Sequence, residues 1–162
     1  MKATVRPFRE EDAGAVSALK IKTLRITNRK DYSPEYIEDL AGRMTPGDVL
    51  EQAKANKTYV AEAGGVIAGC GAVGYCPGKT EEVRFSSIFV VPEYQGQGIG
   101  KQIVKTLEED EISLKARKIE IDASITAIDF YLKLGYVFSE GVREPDGRGL
   151  VKLVKMQDGS RN

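Results

Sequence analysis

The chain has 162 residues, 24 of them basic and 24 acidic, and carries no formal net charge. That length suits one domain that buries roughly 70% of the surface its unfolded form exposes, so a core needs no disulfide or metal staple. Balanced charge argues against bulk binding to nucleic acid or an anionic membrane. The lack of any histidine excludes the usual Ser-His-Asp and Cys-His nucleophiles and the histidine-bearing zinc sites.

Proton transfer near neutral pH therefore falls to a carboxylate, tyrosine, lysine, cysteine or water. Cys70 and Cys76 are the only cysteines. On an extended segment they stand roughly 20 Å apart, and a disulfide needs Cα atoms within about 7 Å. Two free thiols in a reducing compartment are expected. Residues Met1 to Arg6 lack the apolar run of a signal peptide. No stretch reaches the roughly 18 apolar residues of a membrane span, so the expected location is cytoplasmic, with no membrane partner.

A short strand over residues 3–6 comes first, closed by Pro7. Residues 10–27 read as a helix with acidic Glu10, Glu11 and Asp12 in its first turn and Val16, Leu19, Thr23 and Ile26 at helical spacing. Ser33-Pro34 and Thr45-Pro46 each place a capping residue before a proline, which predicts short helices over 34–42 and 46–56. Strands over 58–63 and 66–75 flank the turn Gly64-Gly65. The next strand, 82–91, ends in Ile88-Phe89-Val90-Val91, apolar on both faces as a buried central strand should be. A helix over 98–115, a strand over 118–123, a helix over 125–134 and a strand over 137–140 follow. Glu144-Pro145-Asp146-Gly147 marks a turn before a last strand over 150–155. The order mixes hairpins with strand–helix–strand crossovers. It predicts a single α/β domain over 1–156, with a mixed sheet covered by helices on both faces, and a polar tail over 157–162.

Three glycine-rich segments suggest phosphate binding, and two fail on context. Gly69-Cys70-Gly71-Ala72-Val73-Gly74 has dinucleotide-fold spacing, but Tyr75, Cys76, Pro77 and Gly78 cannot open the required helix. A glycine-rich strand with a bulge or a close neighbour explains it better. Gly74 to Thr80 resembles a P-loop one residue short and leads into a strand, which makes it a surface turn. Gln95-Gly96-Gln97-Gly98-Ile99-Gly100 follows a buried strand and enters an amphipathic helix. There, backbone N–H groups can converge on phosphate without a lysine cluster.

The stretch Ser86 to Lys101, containing Gln95-Gly96-Gln97-Gly98-Ile99-Gly100, closely resembles the acetyl-CoA loop of GCN5-related N-acetyltransferases, with its Q/R-x-x-G-x-G/A signature. Ser124-Ile125-Thr126-Ala127-Ile128-Asp129-Phe130-Tyr131, continuing to Gly135-Tyr136, resembles the family's N-x-x-A-x-x-F-Y-x-x-x-G-F element. The resemblance spans nearly the whole chain. It implies a mostly antiparallel sheet with one splayed parallel strand pair, and acetyl transfer from acetyl-CoA, as cosubstrate and without metal, to a primary amine of a small molecule. A protein or peptide acceptor, and a CoA-binding module without turnover, remain as alternatives. A homodimer is left open.

Carried over by position, the resemblance assigns the pantetheine gap to Ile88, Phe89, Val90 and Val91, with a backbone N–H near Ile88 to Val90 as oxyanion donor. It assigns the pyrophosphate to Gln95, Gly96, Gln97, Gly98, Ile99, Gly100 and Lys101, and further cosubstrate contacts to Ser124, Ala127, Phe130 and Tyr131. Tyr131 is the implied general acid for the departing thiolate. Two positions depart from the pattern. Ser124 replaces the usual Asn, and Arg84 stands where many members carry a basic Glu. Glu82, two residues earlier on the same strand face, is a base candidate acting through water, with water itself or a backbone carbonyl relay as the alternatives. Arg84 reads either as a salt-bridged strand residue or as a ligand for an acceptor carboxylate. Tyr32 and Tyr36 are candidates for the acceptor wall, where an amine could stack on a ring, or they pack as ordinary helix residues.

Overall fold

The computed structural model describes residues 2–157. Seven strands form one sheet in the order β1-β2-β3-β4-β5-β7-β6. They are β1 (Thr4–Pro7), β2 (Lys57–Ala63), β3 (Val66–Tyr75), β4 (Glu82–Val90), β5 (Lys118–Ser124), β6 (Val137–Phe138) and β7 (Leu150–Met156). Every neighbouring pair is antiparallel except β4 and β5. The helices are α1 (Ala13–Thr27), α2 (Pro34–Ala41), α3 (Pro46–Ala55), α4 (Ile99–Glu108), α5 (Glu111–Lys115) and α6 (Ile128–Lys133). No helix among the described residues is long and apolar enough to cross a membrane.

Helices cover both faces. On one, Val16 and Leu19 of α1 and Val49 of α3 pack against Val60 and Cys70. On the other, Ile103 and Leu107 of α4 and Tyr131 of α6 join Val73, Phe85, Ile119, Ile121 and Leu153 in the larger core. The glycine run of β3 is part of this second interface. A Cβ at Gly71 would lie 2.7 Å from Ile103, and one at Gly69 would lie 2.9 Å from the same side chain. Those glycines let α4 approach the strand, which accounts for the dinucleotide-like spacing. The P-loop lookalike is a turn closed by the Lys79 N–H donating to the Cys76 carbonyl, at 2.9 Å. Both cysteines are free and buried.

The helices begin where the caps are. Ser33 accepts the Tyr36 N–H, and Thr45 accepts the Asp48 N–H while Asp48 accepts the Thr45 N–H. Gly64 and Gly65 both take positive φ, 59° and 81°, as a tight hairpin turn requires.

Several expectations shift. Pro7 lies within β1, tolerated because this is an edge strand. The helix expected from Glu10 starts as a single 3-10 turn, and the helix expected from Ile125 does the same. The helix expected over 98–115 breaks at Asp110. That carboxylate caps α5 by accepting the Ile112 N–H at 3.1 Å, and is held by the Tyr59 hydroxyl at 2.5 Å and by Lys57. The strand expected over 137–140 stops at Phe138, because Glu140 takes φ 52° in a tight turn. Of the expected tail, Gln157 is bound: its N–H donates to the Arg117 carbonyl and its amide to the Ser113 carbonyl. Residues 158–162 lie outside the described residues.

Candidate active site

The parallel pair β4–β5 is in register only from Glu82 with Lys118 to Phe85 with Ile121. Beyond it both strands continue, β4 to Val90 and β5 to Ser124, without pairing to each other. On its other side, β4 pairs Ala72 with Ser86 and Cys70 with Phe89, so Ser87 and Ile88 have only Gly71 opposite them. Ser87 sits at φ 54°, a left-handed conformation that is costly for a residue with a Cβ. Ser87 and Ile88 thus form a bulge at the point where the sheet forks.

The bulge is clamped from three elements. The Ser87 hydroxyl donates to Gln52 Oε1 of α3 at 3.2 Å, and the Ser87 carbonyl accepts the Cys70 thiol of β3 at 3.2 Å. Gln52 Oε1 also accepts from Lys20 Nζ of α1, at 3.2 Å. Lys20 is buried, and burial pulls its ammonium below the usual lysine range. Burial likewise pushes the Cys70 thiol up to about 11, so it stays a neutral donor.

The fork opens into a cavity of about 700 Å³. Its cosubstrate-side wall includes Ile88, Phe89, Val90, Gln95, Gly96, Gly98, Ile99, Gly100, Lys101, Ser124, Ala127, Phe130 and Tyr131. Gly98 caps α4 at φ 83°, with no side-chain cap on the helix. Gly100 is pressed on by Phe130, whose ring a Cβ there would meet at 3.0 Å. Gln95 reaches back with its amide to the Val90 carbonyl at 2.9 Å and to the Thr27 hydroxyl at 3.0 Å, which ties the loop to β4 and α1. Gln97 and Val91 are not on the cavity wall. Gln97 turns back toward the Glu93 carbonyl, and the Val91 N–H is taken by Ala68.

Tyr131 faces the cavity from α6, with its ring packed edge-on between Phe130 and Tyr136. Burial alone raises its pKa beyond the ordinary phenol range, so the hydroxyl holds its proton. No hydrogen bond to another described residue engages that hydroxyl. Tyr136, by contrast, is spent on structure, its hydroxyl donating to Glu108 at 2.8 Å.

Glu82 and Arg84 lie below the fork and not on the cavity wall. Glu82 is enclosed by Arg117 at 3.3 Å and Lys118 at 3.7 Å. Arg84 lies between Glu120 at 3.8 Å and Asp122 at 3.7 Å. Both side chains are thus occupied by ion pairs away from the cavity, and Arg84 has the ion-paired placement of a strand residue.

The acceptor-side wall comes from Thr23 and Leu24 of α1, Tyr36 and Leu40 of α2, Met44, Ser86, Asp122 and Leu150. Tyr32 and Tyr36 stack on each other at 4.8 Å with planes 12° apart. Their hydroxyls point away from the wall. Tyr32 donates to the Gly149 carbonyl at 2.5 Å and accepts the Ile125 N–H at 2.9 Å, and Tyr36 donates to the Arg148 carbonyl. Asp31 and Asn28 both bond to Thr126. The α1–α2 segment is therefore strapped to two loops across the sheet. Leu40, Met44, Asp122 and Leu150 carry no motif and were not foreseen. Only the alternation of β5, which puts Asp122 on the face opposite buried Ile121 and Ala123, could have flagged one of them.

Known proteins share this arrangement. The chain is similar to a GCN5-related N-acetyltransferase structure from Rhodopseudomonas palustris, with a TM-score of 0.82 and 23% identity over 97% of each chain. It is similar to PaiA N-acetyltransferase from Thermoplasma acidophilum in complex with coenzyme A, with a TM-score of 0.81 and 18% identity over 97% of this chain and 100% of that one. YncA from Salmonella typhimurium, with its cofactor acetyl-CoA, matches at a TM-score of 0.66 and 17% identity over 98% of this chain and 95% of that one. These likenesses establish the fold. The family model described as the acetyltransferase (GNAT) domain matches residues 28–157, and the chain belongs to the GCN5-related N-acetyltransferase family.

Proposed function

We propose that the protein transfers acetyl from acetyl-CoA to the primary amine of a small molecule. The observation that carries this is a convergence: the β4–β5 fork, the glycine loop entering α4, and Tyr131 all meet on one cavity. The residues fit the cosubstrate. The unpaired edge of β4 beyond Phe85 offers backbone groups to the pantetheine amides in the manner of an added strand. The uncapped N-terminus of α4 offers N–H groups and positive potential to the pyrophosphate.

A backbone N–H of the Ile88 to Val90 stretch serves the reacting carbonyl, stabilising developing oxyanion charge. Tyr131 then donates its proton to the sulfur as the carbon–sulfur bond breaks. A buried, protonated phenol with no competing partner suits that task. The small-molecule reading is supported by the strap of residues 28–36, whose tyrosines tie it to Ile125, Arg148 and Gly149 and roof the acceptor end.

The test is release of free thiol from acetyl-CoA across a panel of primary amines and lysine-bearing peptides, with titration calorimetry of acetyl-CoA alongside. Small amines should drive release, and peptides should not. Peptide-dependent release would replace the small-molecule acceptor. Tight acetyl-CoA binding with no release on any acceptor would replace the enzyme with a binding module.

A further inference from the structure

Asp122 is the only carboxylate on the cavity wall among the described residues, and Lys101, in the first turn of α4, is the only lysine or arginine there. Asp122 sits one residue past the last β4–β5 pair, Phe85 with Ile121. It therefore stands at the crotch of the fork, on the strand face opposite buried Ile121 and Ala123. Its Oδ2 is held from two sides, by Arg84 Nε at 3.7 Å and by the Arg148 guanidinium at 3.5 Å. Its Oδ1 is buried and has no hydrogen-bond partner among the described residues. A buried carboxylate oxygen with no donor is costly, and a protein keeps one where a ligand supplies the donor.

The surroundings define that donor. Leu24, Leu40, Met44 and Leu150 supply apolar side chains to the acceptor half of the cavity, beside Thr23, Tyr36 and Ser86, and Asp122 is its only charged residue among those described. Arg84 and Arg148 are directed at Asp122 and Glu120 rather than at open cavity, and neither lies on the wall.

We propose that Asp122 is the acceptor-side catalytic residue, and that the acceptor is a primary amine on an uncharged, apolar chain or ring. This rests on the acetyltransferase reading given above. The neutral amine, its extra proton already lost to solvent, places an N–H on the Asp122 carboxylate and its apolar chain along the leucine and methionine side chains. Its lone pair forms the nitrogen–carbon bond, and the carbonyl π electrons move onto oxygen. Nitrogen, now strongly acidic, gives one proton to Asp122. When the carbonyl re-forms, the carbon–sulfur bond breaks and the thiolate takes the Tyr131 proton. The products are the N-acetylated amine and free CoA thiol. Asp122 returns its proton to solvent and Tyr131 regains one, so atoms and charge balance.

The experiment compares thiol release by the full chain and by Asp122→Asn with butylamine, hexylamine and octylamine, with aminocaproate as the carboxylated control and spermidine as the polycationic one. The expected kcat/KM rises with chain length, by up to about fourfold per methylene for full burial. It falls at least tenfold for aminocaproate relative to hexylamine, because its carboxylate must enter an apolar wall. Asp122→Asn should lower kcat roughly 10²-fold or more, as loss of a general base does, while acetyl-CoA affinity by calorimetry stays within about twofold of the parent. Preference for aminocaproate or spermidine overturns the acceptor class, and that arm needs no variant to fold. A folded Asp122→Asn as fast as the parent overturns the role of Asp122. If the parent binds acetyl-CoA but no amine releases thiol, it is the acetyltransferase reading that fails, and Asp122 with it.

Discussion

The two walls of the cavity are built by different means. The cosubstrate wall is built around backbone: an unpaired strand edge, a bulge, a glycine loop and a helix N-terminus, all within residues 87–101, closed by α6. The acceptor wall is gathered from residues on α1, α2, the α2–α3 loop, β4, β5 and β7, and roofed by tyrosines. A wall made of backbone binds one conserved chemical shape, whereas a wall made of dispersed side chains can be retuned for another acceptor without disturbing the first. The difference predicts that substitutions on the two walls change different constants.

The largest effect belongs to Tyr131, where both walls meet. Tyr131→Phe should lower kcat by roughly 10²- to 10⁴-fold, the usual worth of a positioned acid. The pH profile carries the sign. The acid form is the active one, and burial raises the Tyr131 pKa. The rate should therefore climb as the amine loses its proton and show no fall as pH passes the ordinary phenol value of about 10. A falling limb below that value would show an exposed or different acid.

Gly98→Val comes next. A β-branched residue at φ 83° is strained and would disturb the first turn of α4. A cost of about 1–2 kcal/mol corresponds to roughly a 5- to 30-fold loss of acetyl-CoA affinity. The KM for the amine should be unchanged.

These effects were foreseeable because their residues are close in sequence. Strand, loop and helix N-terminus occupy one run, so Gln95 to Lys101 could be placed before any coordinates. The mixed sheet with helices on both faces followed from hairpins and crossovers, and the splayed parallel pair from the family resemblance. The helix break at Asp110 was not foreseeable. It depends on Tyr59 and Lys57, which arrive from β2. Asp122, Leu40 and Met44 were missed for the same reason: they become neighbours only through the fork and the α1–α2 strap. Glu82 and Arg84 were chosen by position along β4, but the register shows that the strands are still paired there.

A smaller effect should come from the clamp behind the bulge. Gln52→Leu removes the acceptor that holds both Ser87 and Lys20. With each bond worth about 1 kcal/mol, kcat should fall roughly 5- to 30-fold while acetyl-CoA affinity is nearly kept. Gln52→Glu should restore part of the rate, because it keeps the acceptor oxygen that both donors share. Smallest is Tyr32→Phe, which loses the bridge between Gly149 and Ile125. It should raise the KM for the amine by roughly three- to tenfold, about one hydrogen bond's worth, and leave kcat alone. A shift in acetyl-CoA affinity instead would mean that the two walls are mechanically one.

The most direct test of the account pairs acetyl-CoA titration calorimetry with amine-dependent thiol release on Tyr131→Phe and Gly98→Val. The account predicts opposite losses. Tyr131→Phe should keep acetyl-CoA affinity within about twofold and lose turnover by at least roughly 10²-fold. Gly98→Val should lose affinity and recover turnover at saturating acetyl-CoA. Turnover by Tyr131→Phe close to that of the parent would contradict the assignment of the acid, and with it the reading of the fork as the place where acetyl transfer occurs.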